Sequence, residues 1–158
     1  MNIAIIGMRG SGKTTVSRIL AERLGKKLIS TDEETARRTK LSIGKYIKKH
    51  GMDKFRDAES DVIEALCDLD ECVFDTNSSI VSRNENITNF KKNGLIVLLT
   101  ADQKTIANRL GILPSRLNLD VEFIHRHKRA ADYVIDTSDL EPESVCDLIT
   151  HFVQMELQ

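Results

Sequence analysis

Apolar residues along this chain fall into two patterns: short unbroken runs, and stripes spaced three and four residues apart. Ile3-Ala4-Ile5-Ile6, Cys72-Val73-Phe74, Leu95-Ile96-Val97-Leu98-Leu99 and Tyr133-Val134-Ile135 are runs, and Lys27-Leu28-Ile29 is a shorter, weaker one. A run without polar alternation is the pattern of a strand covered on both faces of a parallel sheet. Between the runs lie the stripes Val16, Ile19, Leu20, Leu24, then Phe55, Val62, Ile63, Leu66, and finally Val145, Leu148, Ile149, Phe152, Val153, each predicting an amphipathic helix. Further helices are expected over Ile43 to Lys49 and around 120–130. Two Thr-x-x-Glu/Gln capping boxes add start signals: Thr31 with Glu34 places a helix start at Asp32, and Thr100 with Gln103 opens a helix running to about Leu110. Residues 111–119 contain Gly111 and Pro114 and show no period, so they read as a loop. Strand and helix signals alternate throughout, which predicts an α/β fold on a parallel sheet. No repeat, low-complexity segment or long linker interrupts the pattern, and 158 residues suit a single domain.

The turn after the first run carries chemistry. Gly7-Met8-Arg9-Gly10-Ser11-Gly12-Lys13-Thr14 fits G-x-x-x-x-G-K-[ST], between a strand and an amphipathic helix, which is the context a phosphate-binding loop requires. Backbone N–H groups must wrap a polyphosphate closely, so side chains at the glycines would block the approach. The helix beginning near Lys13 adds its free N–H groups and the positive end of its dipole. In this frame Gly7, Gly10, Ser11, Gly12 and Thr15 line the anion, Lys13 reaches the β- and γ-phosphates, and the Thr14 hydroxyl ligates Mg²⁺. The pattern therefore implies ATP and Mg²⁺ as cofactors. Asp75, ending the third run, looks like a Walker-B acid on the magnesium side.

Composition narrows the class of partner. A formal charge of −1 gives no global attraction to nucleic acid. No apolar run is long enough for a membrane span, and the first residues lack the basic-then-apolar design of a secretory leader. Cys67, Cys72 and Cys146 are odd in number and match no metal-ligand spacing, so they read as reduced thiols. The expectation is a cytoplasmic monomer acting on a small molecule.

Four landmarks in order give a more specific resemblance. The phosphate loop, Ser30-Thr31-Asp32-Glu33, Phe55-Arg56-Asp57 and Ala131-Asp132-Tyr133-Val134-Ile135-Asp136-Thr137 together resemble the shikimate kinase family over nearly the whole chain. The resemblance implies a three-layer α/β/α fold with a five-stranded parallel sheet of the nucleoside-monophosphate-kinase type. It also implies a lid over about 111–119, an acceptor-binding helical region over about 31–66, and a place in aromatic amino acid biosynthesis. Asp32 matches the family aspartate that hydrogen-bonds the attacking hydroxyl. Arg56 matches the arginine that grips the acceptor carboxylate through paired N–H bonds. Arg109 and Arg116 keep the family interval of seven between the arginine packing on adenine and the lid arginine that stabilises the moving phosphoryl group.

The chain departs from the family at the acceptor. A triple-glycine turn is replaced by Thr76-Asn77-Ser78-Ser79, where Asn77 and Ser78 would supply polar groups to the substrate. Ser30 stands where the family has an aspartate near the metal. Phe123 stands at the second carboxylate-binding arginine, with Arg126 about one turn away as a substitute. Three readings stay open: transfer of phosphoryl to shikimate, transfer to another small acceptor or nucleotide on the same scaffold, and nucleotide binding without transfer.

Overall fold

A computed structural model of the chain describes residues 1–118 and 120–158; Leu119, the last residue of the expected lid, lies outside them. The chain runs β1 (Asn2–Gly7), α1 (Lys13–Leu24), β2 (Lys27–Ser30), α2 (Thr31–Thr39), α3 (Ile43–His50) and α4 (Met52–Leu66). It continues through β3 (Cys72–Asp75), a 3₁₀ segment (Ser78–Ser82), α5 (Asn84–Lys91), β4 (Gly94–Thr100) and α6 (Gln103–Leu110). A 3₁₀ turn (Pro114–Arg116), α7 (Val121–Ala130), β5 (Tyr133–Asp136) and α8 (Pro142–Glu156) complete it. The five strands are all parallel, in the order β2-β3-β1-β4-β5.

Alternate residues of β1 face opposite cores, as the unbroken apolar run requires. Ala4 and Ile6 join Val62, Ile63, Phe74, Phe90 and Ile96 on the side covered by α4, α5 and α7. Ile3 and Ile5 join Val16, Leu20, Val97, Val145 and Ile149 on the side covered by α1 and α8. The result is the expected three-layer α/β/α arrangement, with α2 and α3 packed outside α4. The connection leaving β1 enters the α1 layer, whereas the one leaving β3 enters the α5 layer. Their loops therefore separate above the carboxyl ends of neighbouring strands, the place where open α/β sheets hold ligands.

Several local expectations shift for identifiable reasons. Thr31 is buried and its hydroxyl donates to Asp75 O (3.4 Å), so it ties α2 to β3 and leaves capping to its neighbour. Ser30 caps α2 instead, its Oγ accepting from Glu33 N (3.2 Å), and the helix begins one residue early. Likewise β4 keeps Thr100, and Asp102 caps α6 by accepting from Thr105 N (2.7 Å). Cys146 replaces Leu148 in the buried stripe of α8, with Leu148 left 39% exposed. The Ser78–Lys91 helical stretch has no clear signal in the sequence. Its buried residues Ile80, Val81, Asn86 and Phe90 straddle a change from 3₁₀ to α geometry, which breaks any single period.

Cys67, Cys72 and Cys146 are buried and free of disulfides. Burial pushes the Cys67 thiol up to about 12 and the Cys146 thiol up to about 11, so both stay protonated and inert. Among the described residues, no helix is long and apolar enough to cross a membrane.

Gly94 opens β4 directly against the backbone of its partner strand. A Cβ there would lie 2.6 Å from Asn2 O and 3.1 Å from Phe90 O, neither of which can rotate away. Gly94→Ala is expected to lower unfolding stability by about 1–3 kcal/mol in urea titration, through overpacking rather than any change at the sheet's far edge.

Candidate active site

The turn between β1 and α1 is bent by glycines held at positive φ: 152° at Gly7, 85° at Gly10 and 99° at Gly12. At Gly7 space is also decisive, because a Cβ would meet Leu99 O at 2.5 Å. At Gly12 it would meet nothing within 4 Å, so the loop faces open space there. No side chain caps α1 and no acid lies in its first turn, so its leading N–H groups point into that space without an anion of their own. The Lys13 ammonium folds back along the loop, donating to Gly7 O (2.8 Å) and Met8 O (3.1 Å). Burial lowers its pKa to about 8, against the opposing pull of Asp75 and Asp32. The two carboxylates thus feel the same ammonium. The cradle fits a polyphosphate.

On one side of the loop a cavity of about 680 Å³ is lined by Gly10, Gly12, Thr15, Arg109, Thr137 and Pro142 among others. Arg109 forms a fixed wall: its Nη1 donates to Gly10 O (3.1 Å) and Thr137 Oγ (3.1 Å), and its Nη2 to Thr137 O (3.0 Å). On the other side a cavity of about 360 Å³ is lined by Thr14, Ser30, Asp32, Glu33 and Asp75. There the Thr14 hydroxyl donates to Asp75 Oδ2 (2.9 Å), and burial pushes the Asp75 carboxyl up from its ordinary value. A hydroxyl beside a carboxylate suits Mg²⁺, which takes one or two protein oxygens and keeps waters and phosphate oxygens for the rest. Among the described residues no cluster of three or more His, Cys, Asp or Glu forms a complete metal cage.

Beyond Asp32 the polar cluster continues. Asn77 Nδ2 donates to Asp32 Oδ1 (2.5 Å) and to Glu59 Oε2 (2.7 Å), and Ser79 Oγ lies 3.1 Å from Glu59 Oε1. Glu59 is 1% exposed, and burial raises its carboxyl to about 6. Arg56, one turn earlier on α4, is half-buried; its Nε is fully buried and meets no acceptor among the described residues.

A sequence model of the shikimate kinase family matches residues 9–154. The chain belongs to that family. It is 34% identical to the shikimate kinase of Dehalococcoides mccartyi, over 94% of this chain and 90% of that one. The same identity holds against the shikimate kinase of Thermodesulfovibrio yellowstonii, over 94% and 92% of the two chains. Among solved structures, shikimate kinase from Acinetobacter baumannii in complex with shikimate superposes at a TM-score of 0.85, with 26% identity over 98% of this chain and 93% of that one. The Aquifex aeolicus shikimate kinase also superposes at 0.85, with 27% identity over 99% and 98%.

Within this shikimate kinase scaffold, not every residue singled out from sequence joins the cluster. Arg126 is exposed on α7; its Nη1 donates to Ser82 O (3.3 Å), and with Arg129 it lines a separate cavity of about 520 Å³. Phe123 packs into the core beside α5 and meets the His127 ring edge-on, with centroids 4.7 Å apart. His127 is itself buried, in a run that otherwise reads as a solvated basic face. Arg116 ends the exposed 3₁₀ turn, with no side-chain hydrogen bond among the described residues. Ser78 is half-buried at the start of the 3₁₀ segment, next to the Asn77 cap. Glu59 and Ser79 were not singled out from sequence. Glu59 had a signal, since it lies four residues after Phe55 and four before Ile63, a charge set in the apolar stripe of α4.

An anion entering the cradle replaces Gly7 O and Met8 O as the partner of Lys13 and raises a pKa that now stands near 8. Triphosphate binding at pH 8 is therefore expected to take up a proton, read by calorimetry in buffers of different ionisation enthalpy. The uptake should vanish at pH 6.5, where Lys13 is already charged, and in Lys13→Met.

Proposed function

We propose that this chain transfers the γ-phosphoryl group of ATP to a hydroxyl of shikimate. The observation that carries the reading is the meeting of three groups at one sheet edge: the Lys13 ammonium, the Thr14–Asp75 pair and the Asp32 carboxylate. In this reading Gly7, Gly10, Ser11, Gly12 and Thr15 supply the loop around the triphosphate, and Arg109 walls the nucleotide side. Thr14 and Asp75 would hold Mg²⁺, whose chemistry is to neutralise charge shared between the β- and γ-phosphates. Asp32 accepts a hydrogen bond from the acceptor hydroxyl and aims its oxygen at the γ-phosphorus. As that P–O bond forms, the bond to the ADP oxygen breaks, ADP leaves with the electron pair, and the hydroxyl proton passes to Asp32. Lys13 follows the charge toward the leaving oxygen, and Arg116 meets the moving phosphoryl group from the lid.

Arg56 grips the acceptor carboxylate. Its buried, unpartnered Nε is a donor waiting for an acceptor, and a guanidinium matches a planar carboxylate with two parallel bonds. The shikimate kinase from Acinetobacter baumannii was solved with shikimate bound, which supports the same acceptor for this relative. The reading extends to a monomeric, cytoplasmic enzyme using Mg²⁺ in aromatic amino acid biosynthesis, and size exclusion tests the monomer directly. One observation favours a second acceptor: the Asn77 and Ser79 side chains stand where the family has bare glycine backbone, and they reshape the space around Asp32.

A coupled assay of ADP release over a panel of hydroxylated acids, sugars and nucleosides decides between them. Shikimate is expected to stimulate turnover well above every other compound; a stronger response to another acceptor transfers the assignment to it. In the same assay Arg56→Ala should cut kcat/KM for the acceptor by roughly 2–4 kcal/mol in transition-state terms while ATP binding stays intact.

A further inference from the structure

The Asn77 side chain is saturated. Its two N–H donors go to carboxylates on different helices, Asp32 Oδ1 on α2 (2.5 Å) and Glu59 Oε2 on α4 (2.7 Å). Its carbonyl oxygen accepts from Ser79 N (2.7 Å) and lies 2.5 Å from Ser79 Oγ. The reverse amide orientation is excluded by chemistry, because it would set the carbonyl against two carboxylates and an N–H₂ against the Ser79 N–H. Only an amide offers two forked donors opposite an acceptor. The residue therefore clamps two acids that would otherwise repel each other, and it takes its own position from the 3₁₀ segment that it caps.

The clamp has a consequence at each end. Asp32 is anchored through Oδ1, and among the described residues Oδ2 accepts no hydrogen bond, so one oxygen is left for a ligand. Glu59 is the most deeply buried acid of the cluster, and its charge is supported from three sides: by Asn77, by Ser79 and by Arg56 one turn earlier on its own helix. The charged groups facing it are Asp32 from α2, which opposes ionisation, and Arg56 from α4, which favours it.

We propose that Asn77 is a positioning residue for the transfer reaction, an amide clamp that fixes Asp32 against Glu59 so that Asp32 turns its free Oδ2 to the acceptor hydroxyl while Glu59 remains beside Arg56. This rests on the phosphotransfer reading above. The clamp acts through both acids at once: Asp32 sets the direction of the hydroxyl, and Glu59 keeps its negative charge near Arg56, one turn away on α4. The side-chain amide supplies two donors to the two carboxylates from one residue, where a glycine has only its single backbone N–H.

Two substitutions and two readouts test it. Asn77→Ala removes the clamp, and kcat with a saturating acceptor should fall about 10- to 100-fold with the KM for ATP unchanged. Asn77→Asp keeps the shape but puts a third acid in place of the donors. It should lose kcat at least as far as Asn77→Ala does, because a carboxylate repels both acids where the amide donated to them. Carbon-13 titration of the Asp and Glu carboxyls reads the clamp without any acceptor: Glu59, which stands at about 6, should titrate higher in Asn77→Ala because a hydrogen bond to its ionised form is gone. Folded variants with the parent kcat, or a Glu59 titration unchanged by Asn77→Ala, overturn the proposal. If the unsubstituted enzyme itself shows no acceptor-dependent ADP release, the functional reading fails separately, and the titration still decides whether Asn77 couples the two acids.

Discussion

The parallel pairing of β1 with β3 is the constraint on which the site depends. Ile5 lies opposite Asp75, and Asp75 in turn lies opposite Ser30 of β2, so β2 and β3 end level while β1 runs two residues further to Gly7. Thr76, the next residue, is buried and donates its hydroxyl to Ile5 O (2.7 Å), which locks that register. From there the glycine turn carries Lys13 and Thr14 up from β1, and the Asn77 turn carries its amide up from β3. A slip of one residue would exchange the two faces of a strand and bury Asp75 in the core. The two apolar clusters on opposite faces of the sheet forbid that slip, and in doing so they hold the chemistry in place.

Charge is arranged around this edge with little slack. Lys13 sits in a partly desolvated cradle, where burial weakens its hold on a proton and two carboxylates oppose that loss. Asp75 and Glu59 are both driven toward their neutral forms by burial, and each is opposed by a hydroxyl or amide donor. Such groups are costly to keep in a folded protein unless a ligand or a neighbour completes their bonding. The desolvated Lys13 ammonium, the buried and unpartnered Nε of Arg56 and the raised Glu59 are three perturbed polar groups close to one sheet edge. A concentration of perturbed groups of this kind marks a candidate site rather than an ordinary polar surface.

The family resemblance and the structure inform different parts of this arrangement. The nucleotide side keeps the loop sequence from Gly7 to Thr15, and the structure bends it as that sequence requires. The acceptor side departs from the pattern at Ser30, Asn77 and Phe123. The structure turns each departure into something specific: a helix cap at Ser30, an amide shared by two acids at Asn77, and a core contact at Phe123. Arg126 takes up backbone and surface partners on its own side of α7.

Much of the fold was legible because its signals are local. Unbroken apolar runs mark strands covered on both faces, stripes at helical spacing mark the layers, and a glycine-lysine turn between them marks the anion cradle. Lys13, Thr14 and the glycines could be named from sequence because their chemistry depends on neighbours along the chain. Tertiary contact decided what depends on residues far apart: that Thr31 would serve β3 rather than cap its helix, and that Ser78–Lys91 would coil against α4 and α7. It also decided that Glu59, 18 residues before Asn77, would share one amide with Asp32. A hydrogen bond across such a gap leaves no period or spacing in the sequence, since it exists only once packing has brought α2, α4 and the turn after β3 to the same edge.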